Sequence, residues 1–194
     1  RIKMKYSLTT ESKNISGVTV YRIKAETSFG DVKRGDLGGF IEGERNLSHE
    51  GNAWVYDKAC VCERAQVYGD ARVFGEACVC ERAQVYDDAR VFGRANVYGN
   101  ARVYEGAVVC DRAHIYGEAR VRGDAEIGDE AHIYGDARVS GEARVCGDAR
   151  VFNSLHLSSG HFFGKRGSGE DIIFVRVSDD MELVCKGDVI CTDW

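Results

Sequence analysis

Two histidines, His114 and His132, stand eighteen residues apart in the matching segments Ala113-His114-Ile115-Tyr116 and Ala131-His132-Ile133-Tyr134. Imidazole gains and loses a proton near neutral pH, so this pair suits a general base, and it equally suits a polar ladder in a wet interface. Arg102, Arg120 and Arg138 recur at the same spacing, as do Tyr68, Tyr86 and Tyr104. That set suits a small anionic ligand such as a phosphate or a nucleotide, because guanidinium groups bind oxyanions in a forked geometry. It equally suits a solvated face balanced by neighbouring Asp and Glu. Cys60, Cys62, Cys78 and Cys80 form a third group, again offset by eighteen. Four thiolates satisfy zinc, but a flat sheet face does not present them tetrahedrally, and stacked pairs strain a disulfide. Free thiols and no bound metal are the expectation there.

The composition narrows the setting. Net charge is −5 over 194 residues, which argues against a nucleic-acid binder, since phosphate contacts need a basic surface. No run of eighteen apolar residues is present to span a membrane, and no export signal follows the N-terminus. Most of the eight cysteines lie within the repetitive region, so reduced thiols in a cytoplasmic protein are expected. Proline is absent, which suits a chain rich in central strands.

The element that positions these groups is a repeat of six residues. From Ala53 to Ala149 an alanine recurs seventeen times at intervals of six, and the residue two places later is always Val or Ile. Alternate strand residues face opposite ways, so Ala and Val point inward and their neighbours outward. The remaining residues make corners such as Gly69-Asp70, Gly99-Asn100 and Gly135-Asp136. A strict period of six excludes an amphipathic helix. A second period of eighteen is written in Ala59-Cys60-Val61-Cys62-Glu63-Arg64-Ala65-Gln66-Val67-Tyr68, which returns almost unchanged at residues 77–86. One coil is therefore three strands and three corners, and residues 53–152 form a triangular parallel β-helix of about six coils.

Eighteen-residue coils place every outward side chain in a column on one of three faces. The first face carries Arg102, Arg120 and Arg138 beside Tyr68, Tyr86 and Tyr104. The second carries Trp54, Arg72 and Arg90 beside Phe74 and Phe92, which read as an exposed apolar patch and hence an interaction surface. The third carries Cys60, Cys78, Asn96, His114, His132 and Arg150 beside Cys62, Cys80, Tyr98, Tyr116, Tyr134 and Phe152. This second column holds no charge, and a tyrosine-rich stripe of that kind fits a subunit interface. A homotrimer is the expected assembly, with Tyr98, Tyr116, Tyr134, Phe152, Phe74 and Phe92 as its contact residues.

The repeat resembles the hexapeptide-repeat, left-handed β-helix superfamily, which includes trimeric bacterial acyltransferases. The segment before it, with Gly38-Gly39, Asn46-Leu47-Ser48 and Trp54-Val55-Tyr56, resembles the YdcK-like proteins of enteric bacteria and their phage-associated relatives. The resemblance implies left-handed winding, subunits joined in threes, and a general-base histidine between subunits, a role open to His114 or His132, with acetyl-CoA as the acyl donor. Zinc held by three histidines occurs in other members of the superfamily. No hexapeptide here carries the inserted loop that shapes an acceptor pocket in the acyltransferases.

The fold is thus expected to be all-β, a left-handed parallel β-helix with small β caps at both ends. Residues 4–52 form an N-terminal cap that contains the strand Val18–Ala25, residues 53–157 the helix, and residues 158–194 a small C-terminal module. In that module Ile172–Val177 and Leu183–Cys185 read as strands around an Asp179-Asp180 turn, with a third at Val189–Cys191. The functional expectation is a non-catalytic homotrimeric scaffold or binding protein without a cofactor. Its alternatives are an acetyl-CoA-dependent acyltransferase and a binder of small anions or nucleotides.

Overall fold

The computed structural model describes residues 4–153, 155–166, 171–178 and 181–186. From Trp54–Val55 to Arg138–Val139 the hexapeptides form two-residue strands that stack in parallel, each directly over the strand eighteen residues later, and the step shortens to seventeen from Arg144 to His161. Val79 lies over Val97, Val97 over Ile115, and Ile115 over Ile133. The inward Ala and Val or Ile side chains are fully buried along the rod, so its core is a filled triangular column. Burying a valine stabilises by about 1.5 kcal/mol or more, and β-branched side chains fit the pleat. Backbone hydrogen bonds run between coils, as in Trp54 N–H to the Ala71 carbonyl at 3.0 Å and Tyr56 N–H to the Val73 carbonyl at 2.8 Å.

The rod has about seven coils where six were expected. Residues Leu37–Ile41 pair in parallel with Cys60–Val61, and Leu47 bridges Val67 in parallel. The step here is twenty residues (Phe40 to Cys60, Leu47 to Val67), so this coil carries two extra residues. They fall between Leu47 and Ala53, and the altered step hides the coil from a search at period six. Its alanine position is taken by Gly39, where a Cβ would lie 2.6 Å from the Ala59 carbonyl oxygen and 2.7 Å from Val55 Cγ1. Beyond Arg150–Val151 the stack continues through His156–Leu157, which pairs with Arg138–Val139 as expected. It then takes in His161–Arg166, parallel to Arg144–Gly147. Asp171–Ser178 and Met181–Lys186 extend that sheet antiparallel, in agreement with the strands read from sequence. Asp179-Asp180 and the third strand expected at 189–191 lie outside the described residues. Among the described residues no helix is long and apolar enough to cross a membrane.

Before the rod comes a hairpin of β1 (Tyr6–Ile15) and β2 (Val18–Ala25), with β3 (Leu37–Ile41) antiparallel to β2. Ser16 and Gly17 turn it with positive φ at both positions, and Gly17 N–H donates to Asn14 Oδ1 at 2.9 Å. The roots of β1 and β2 continue the sheet past the first coil and protect its edge. The hairpin's tip bends back over the outward face of the rod, where Val20 is buried against Phe40, Cys60 and Cys62. Trp54, expected on an open face, is instead 1 % exposed. Phe29 and Tyr6 cover it edge-on at 5.3 and 6.1 Å.

Backbone groups at this end are satisfied by buried polar side chains. Lys5 Nζ donates to the Ala53 carbonyl at 2.9 Å, with the Glu50 and Gly51 carbonyls at 3.4 Å, and burial pushes its ammonium down to about 8. Asn46, fully buried, donates from Nδ2 to the Ala65 carbonyl at 2.9 Å and accepts from Gly43 N–H at 3.0 Å.

The corners obey one rule. At every corner of residues 53–153 the fifth residue of the hexapeptide has positive φ, between 52° and 70°. Glycine takes that conformation freely, yet Asp57, Glu63, Glu81, Asp87, Glu105, Asp111, Asp129 and Asn153 occupy it too. Such a conformation costs an L-residue about 1 kcal/mol. The acidic residues offset this by accepting the corner N–H one coil later. Asp57 Oδ2 accepts from Gly75 N–H at 3.0 Å, Glu81 Oε2 from Gly99 N–H at 3.0 Å, Glu105 Oε2 from Gly123 N–H at 2.8 Å, and Asp129 Oδ2 from Gly147 N–H at 2.8 Å. A carboxylate hydrogen bond of this kind contributes about 1.5 kcal/mol when partly solvated. Asp129→Ala, which keeps the strain and loses the bond, is expected to destabilise by about 1–2 kcal/mol, whereas Asp129→Gly stays within about 0.5 kcal/mol of the parent. Urea denaturation of the two variants checks this, and equal losses would dismiss the offset.

Candidate functional site

The three expected groups occupy three different faces or zones of the rod. On the Cys/His face, His114 and His132 are register partners on adjacent coils, with rings stacked at 4.8 Å and 7°. Both are half-buried. Tyr98 stands edge-on to His114 at 6.4 Å, and Tyr116 edge-on to His132 at 6.2 Å. In the neighbouring column Tyr98, Tyr116, Tyr134 and Phe152 stack ring on ring at 4.9, 5.0 and 5.3 Å. Burial raises the hydroxyl pKa of Tyr98 and Tyr116, with the adjoining tyrosine adding to it, so both are proton donors near neutral pH. Donor hydroxyls beside paired imidazoles are groups that can hold or move a proton.

The cysteine end of this face is not open, contrary to the expectation of one uninterrupted outward stripe. Cys60 and Cys62 are 5 % and 3 % exposed beneath the hairpin, while Cys78 and Cys80 are half-buried at its tip. A cleft of about 640 Å³ opens there between hairpin and rod, lined by the four cysteines with Lys13, Ile15, Val18, Lys58 and Glu81 among others. The strand Val18–Ala25 was expected in the cap, whereas its partner strand with Lys13 and the fold-back over the cysteines were not. Their only signal is the Asn-Ile-Ser-Gly turn, which marks a hairpin without saying where it will lie. Among the described residues no group of three or more His, Cys, Asp or Glu side chains is arranged to hold a metal ion.

On the Arg/Tyr face, Arg102, Arg120 and Arg138 are exposed register partners. Among the described residues none of the three has a carboxylate partner within 4.0 Å, whereas Arg122 pairs with Glu105 at 3.6 Å. Tyr68, Tyr86 and Tyr104 stack beside the column at 4.8 and 4.9 Å. Their ring planes face one another, so only ring edges are offered outward and no flat ligand is sandwiched between them. On the Phe face, Phe74 and Phe92 are half-buried rather than exposed, because each covers the other at 4.7 Å and Tyr56 closes one end at 6.4 Å. The Tyr56 hydroxyl donates to Asp31 at 2.8 Å, and burial together with that carboxylate pushes it up to about 12.

Ladders of like residues at an eighteen-residue step are the signature of stacked coils. Residues 65–81, 83–96, 95–111 and 143–159 match the family model of the YdcK Beta solenoid repeat. The chain is a β-solenoid repeat protein. No curated protein matches it. The matched segments include Tyr68, Cys78, Cys80, Tyr86, Tyr98, Tyr104 and Phe152 of the surface ladders.

The solenoid's arginine ladder carries a measurable cost. Register partners in adjacent strands lie about 4.8 Å apart, and like charges at that spacing repel. Arg120→Glu, between two arginines, is expected to stabilise the solenoid by about 0.5–1 kcal/mol at low ionic strength, and the gain should shrink in about 0.5 M salt. Chemical denaturation at the two salt concentrations tests it. A loss of stability in both would mean that the ladder is held by anions rather than strained.

Proposed function

We propose that this solenoid is a non-catalytic scaffold that assembles as a homotrimer, with the left-handed winding the sequence resemblance implies. The observation that carries the reading is the Tyr98–Phe152 ladder. It is a half-buried aromatic column of four stacked rings, uncharged throughout, on the half of its face that the hairpin leaves uncovered. Aromatic side chains of low conformational entropy, with hydroxyls at their tips, are what the cores of subunit interfaces use. The first coils of the same face are already covered by the chain's own arm, so the surface left for a partner begins where the arm ends. Light scattering on a size-exclusion column should give the mass of three chains. Tyr116→Glu, which places a charge in the centre of the ladder, should give one chain with unchanged circular dichroism. A parent protein that runs as a single chain would end this proposal.

The stacked His114–His132 pair supports a second reading, an acyltransferase that takes acetyl-CoA. In that reading one imidazole, at the subunit boundary, removes the acceptor's proton as the acyl group is transferred. Calorimetric titration with acetyl-CoA should release or absorb heat and raise the melting temperature. Absence of both effects would remove this alternative, as would a His114→Ala/His132→Ala variant that alters stability only.

A further inference from the structure

The cysteine cluster and its cleft lie at the other end of the same face and take no part in either reading. Cys60 and Cys78 are direct register partners on adjacent parallel strands. Parallel neighbours stand about 4.8 Å apart at Cα, inside the range a disulfide spans. Cys62 and Cys80 flank them two residues on, on the same outward side. Over this group the hairpin places Lys13, whose Nζ donates to the Lys58 carbonyl at 2.9 Å and lies 4.1 Å from the centre of the Phe40 ring, while Lys58 lines the same cleft. The cleft beside Cys78 and Cys80 is open to solvent, and its volume of about 640 Å³ leaves room for a small molecule.

We propose that Cys78 is a reversible oxidation site for small hydroperoxides, and that Cys60 resolves it as an inter-coil disulfide. The Cys78 thiolate sulfur attacks one oxygen of the hydroperoxide. An S–O bond forms, the O–O bond breaks, and the leaving alkoxide takes a proton to become an alcohol. Cys78 is thereby oxidised by two electrons to a sulfenic acid while the hydroperoxide is reduced. The Cys60 sulfur then attacks Cys78, the S–S bond forms, the S–O bond breaks, and the departing hydroxide leaves as water with the Cys60 proton.

The surroundings favour this division of labour. Contacts from the Cys60, Cys62 and Cys80 thiols hold Cys78 well below the ordinary thiol range, and the Lys13 ammonium helps against the opposing effect of burial. The contact with Cys78, then burial, push Cys60 in the opposite direction, so it keeps its proton until it resolves. Elsewhere on the rod the thiols are of the inert kind: burial, then Asp111, push Cys110 up to about 12, and burial raises Cys146. Adjacent parallel strands cannot relax far to suit an S–S bond, and a strained disulfide is readily reduced. The modification is therefore reversible by ordinary thiols.

The test treats the full chain with less than one equivalent of hydrogen peroxide at neutral pH and maps the thiols by peptide mass spectrometry. Expected are a Cys60–Cys78 disulfide that dithiothreitol reverses and oxidation of Cys78 at least about tenfold faster than of Cys110 or Cys146. In Cys60→Ser the inter-coil disulfide should be lost, and oxidised Cys78 should be found as a dimedone adduct at residue 78 or bonded to Cys62 or Cys80, the two other thiols that contact it. Oxidation of Cys110 or Cys146 as fast as Cys78 overturns the proposal, as does a dimedone adduct elsewhere in the cluster. Lys13→Met keeps the stem over Phe40 and removes the charge, so the test does not depend on how well cysteine variants fold. It should slow Cys78 oxidation several-fold, and an unchanged rate overturns the arrangement proposed here.

Discussion

Every hexapeptide must turn the chain at a residue of positive φ, and the rod exists because seventeen successive corners do so without a change of length. Once each corner takes the same number of residues, each strand lands over the one eighteen residues away, and its N–H and C=O groups meet partners at the right height. Where a corner differs in length the step between coils changes, to twenty from Phe40 to Cys60 and to seventeen from Arg144 to His161, and the inward residues still meet their partners. Half of the corners use glycine, whose missing Cβ makes the conformation free. The others, Asn153 apart, use an acidic side chain that reaches along the rod to the next corner's N–H. That bond ties neighbouring coils together at the corners, beside backbone bonds such as Lys58 N–H to the Gly75 carbonyl at 3.0 Å.

Exact registration has a second consequence. Whatever points outward is repeated at about the strand spacing, so each column multiplies the character of its residues. Aromatic rings stack into continuous ladders and shield one another, as in Tyr68–Tyr86–Tyr104 and Phe74–Phe92. Arginines in the same situation repel. Pairs such as Arg94 with Glu76 at 3.0 Å and Arg112 with Glu130 at 3.1 Å show how the corners relieve this by alternating sign down the column. The Arg102 column lacks such relief among the described residues, which sets it apart electrostatically from the rest of the surface.

The N-terminal segment turns a uniform rod into a molecule with distinct zones. Its residues 37–52 are a coil of the rod itself, the roots of its hairpin close the exposed strand edge, and the hairpin tip folds over the cysteines. One face thereby acquires a covered half with a cleft and an open half with a tyrosine ladder. Polar groups buried at this end, Lys5 and Asn46 above all, serve backbone carbonyls that no further coil exists to satisfy.

The sequence by itself determined the period, the coil, the inward Ala and Val columns and the membership of each surface ladder. These are local and repeated, so a residue's number modulo eighteen states which face it occupies. The expectations that failed are those for which an irregular segment intervenes. The seventh coil was hidden by two extra residues and by glycine at its alanine position. Trp54, Cys60 and Cys62, outward by number, are buried because residues far earlier in the chain cover them. That Phe74 and Phe92 are half-buried follows from ring stacking, which the column order implied. Where the hairpin tip comes to rest was decided only by tertiary packing: Val20 and Phe40 bury more apolar surface against the cysteines than they could in solvent, and no periodicity records that preference.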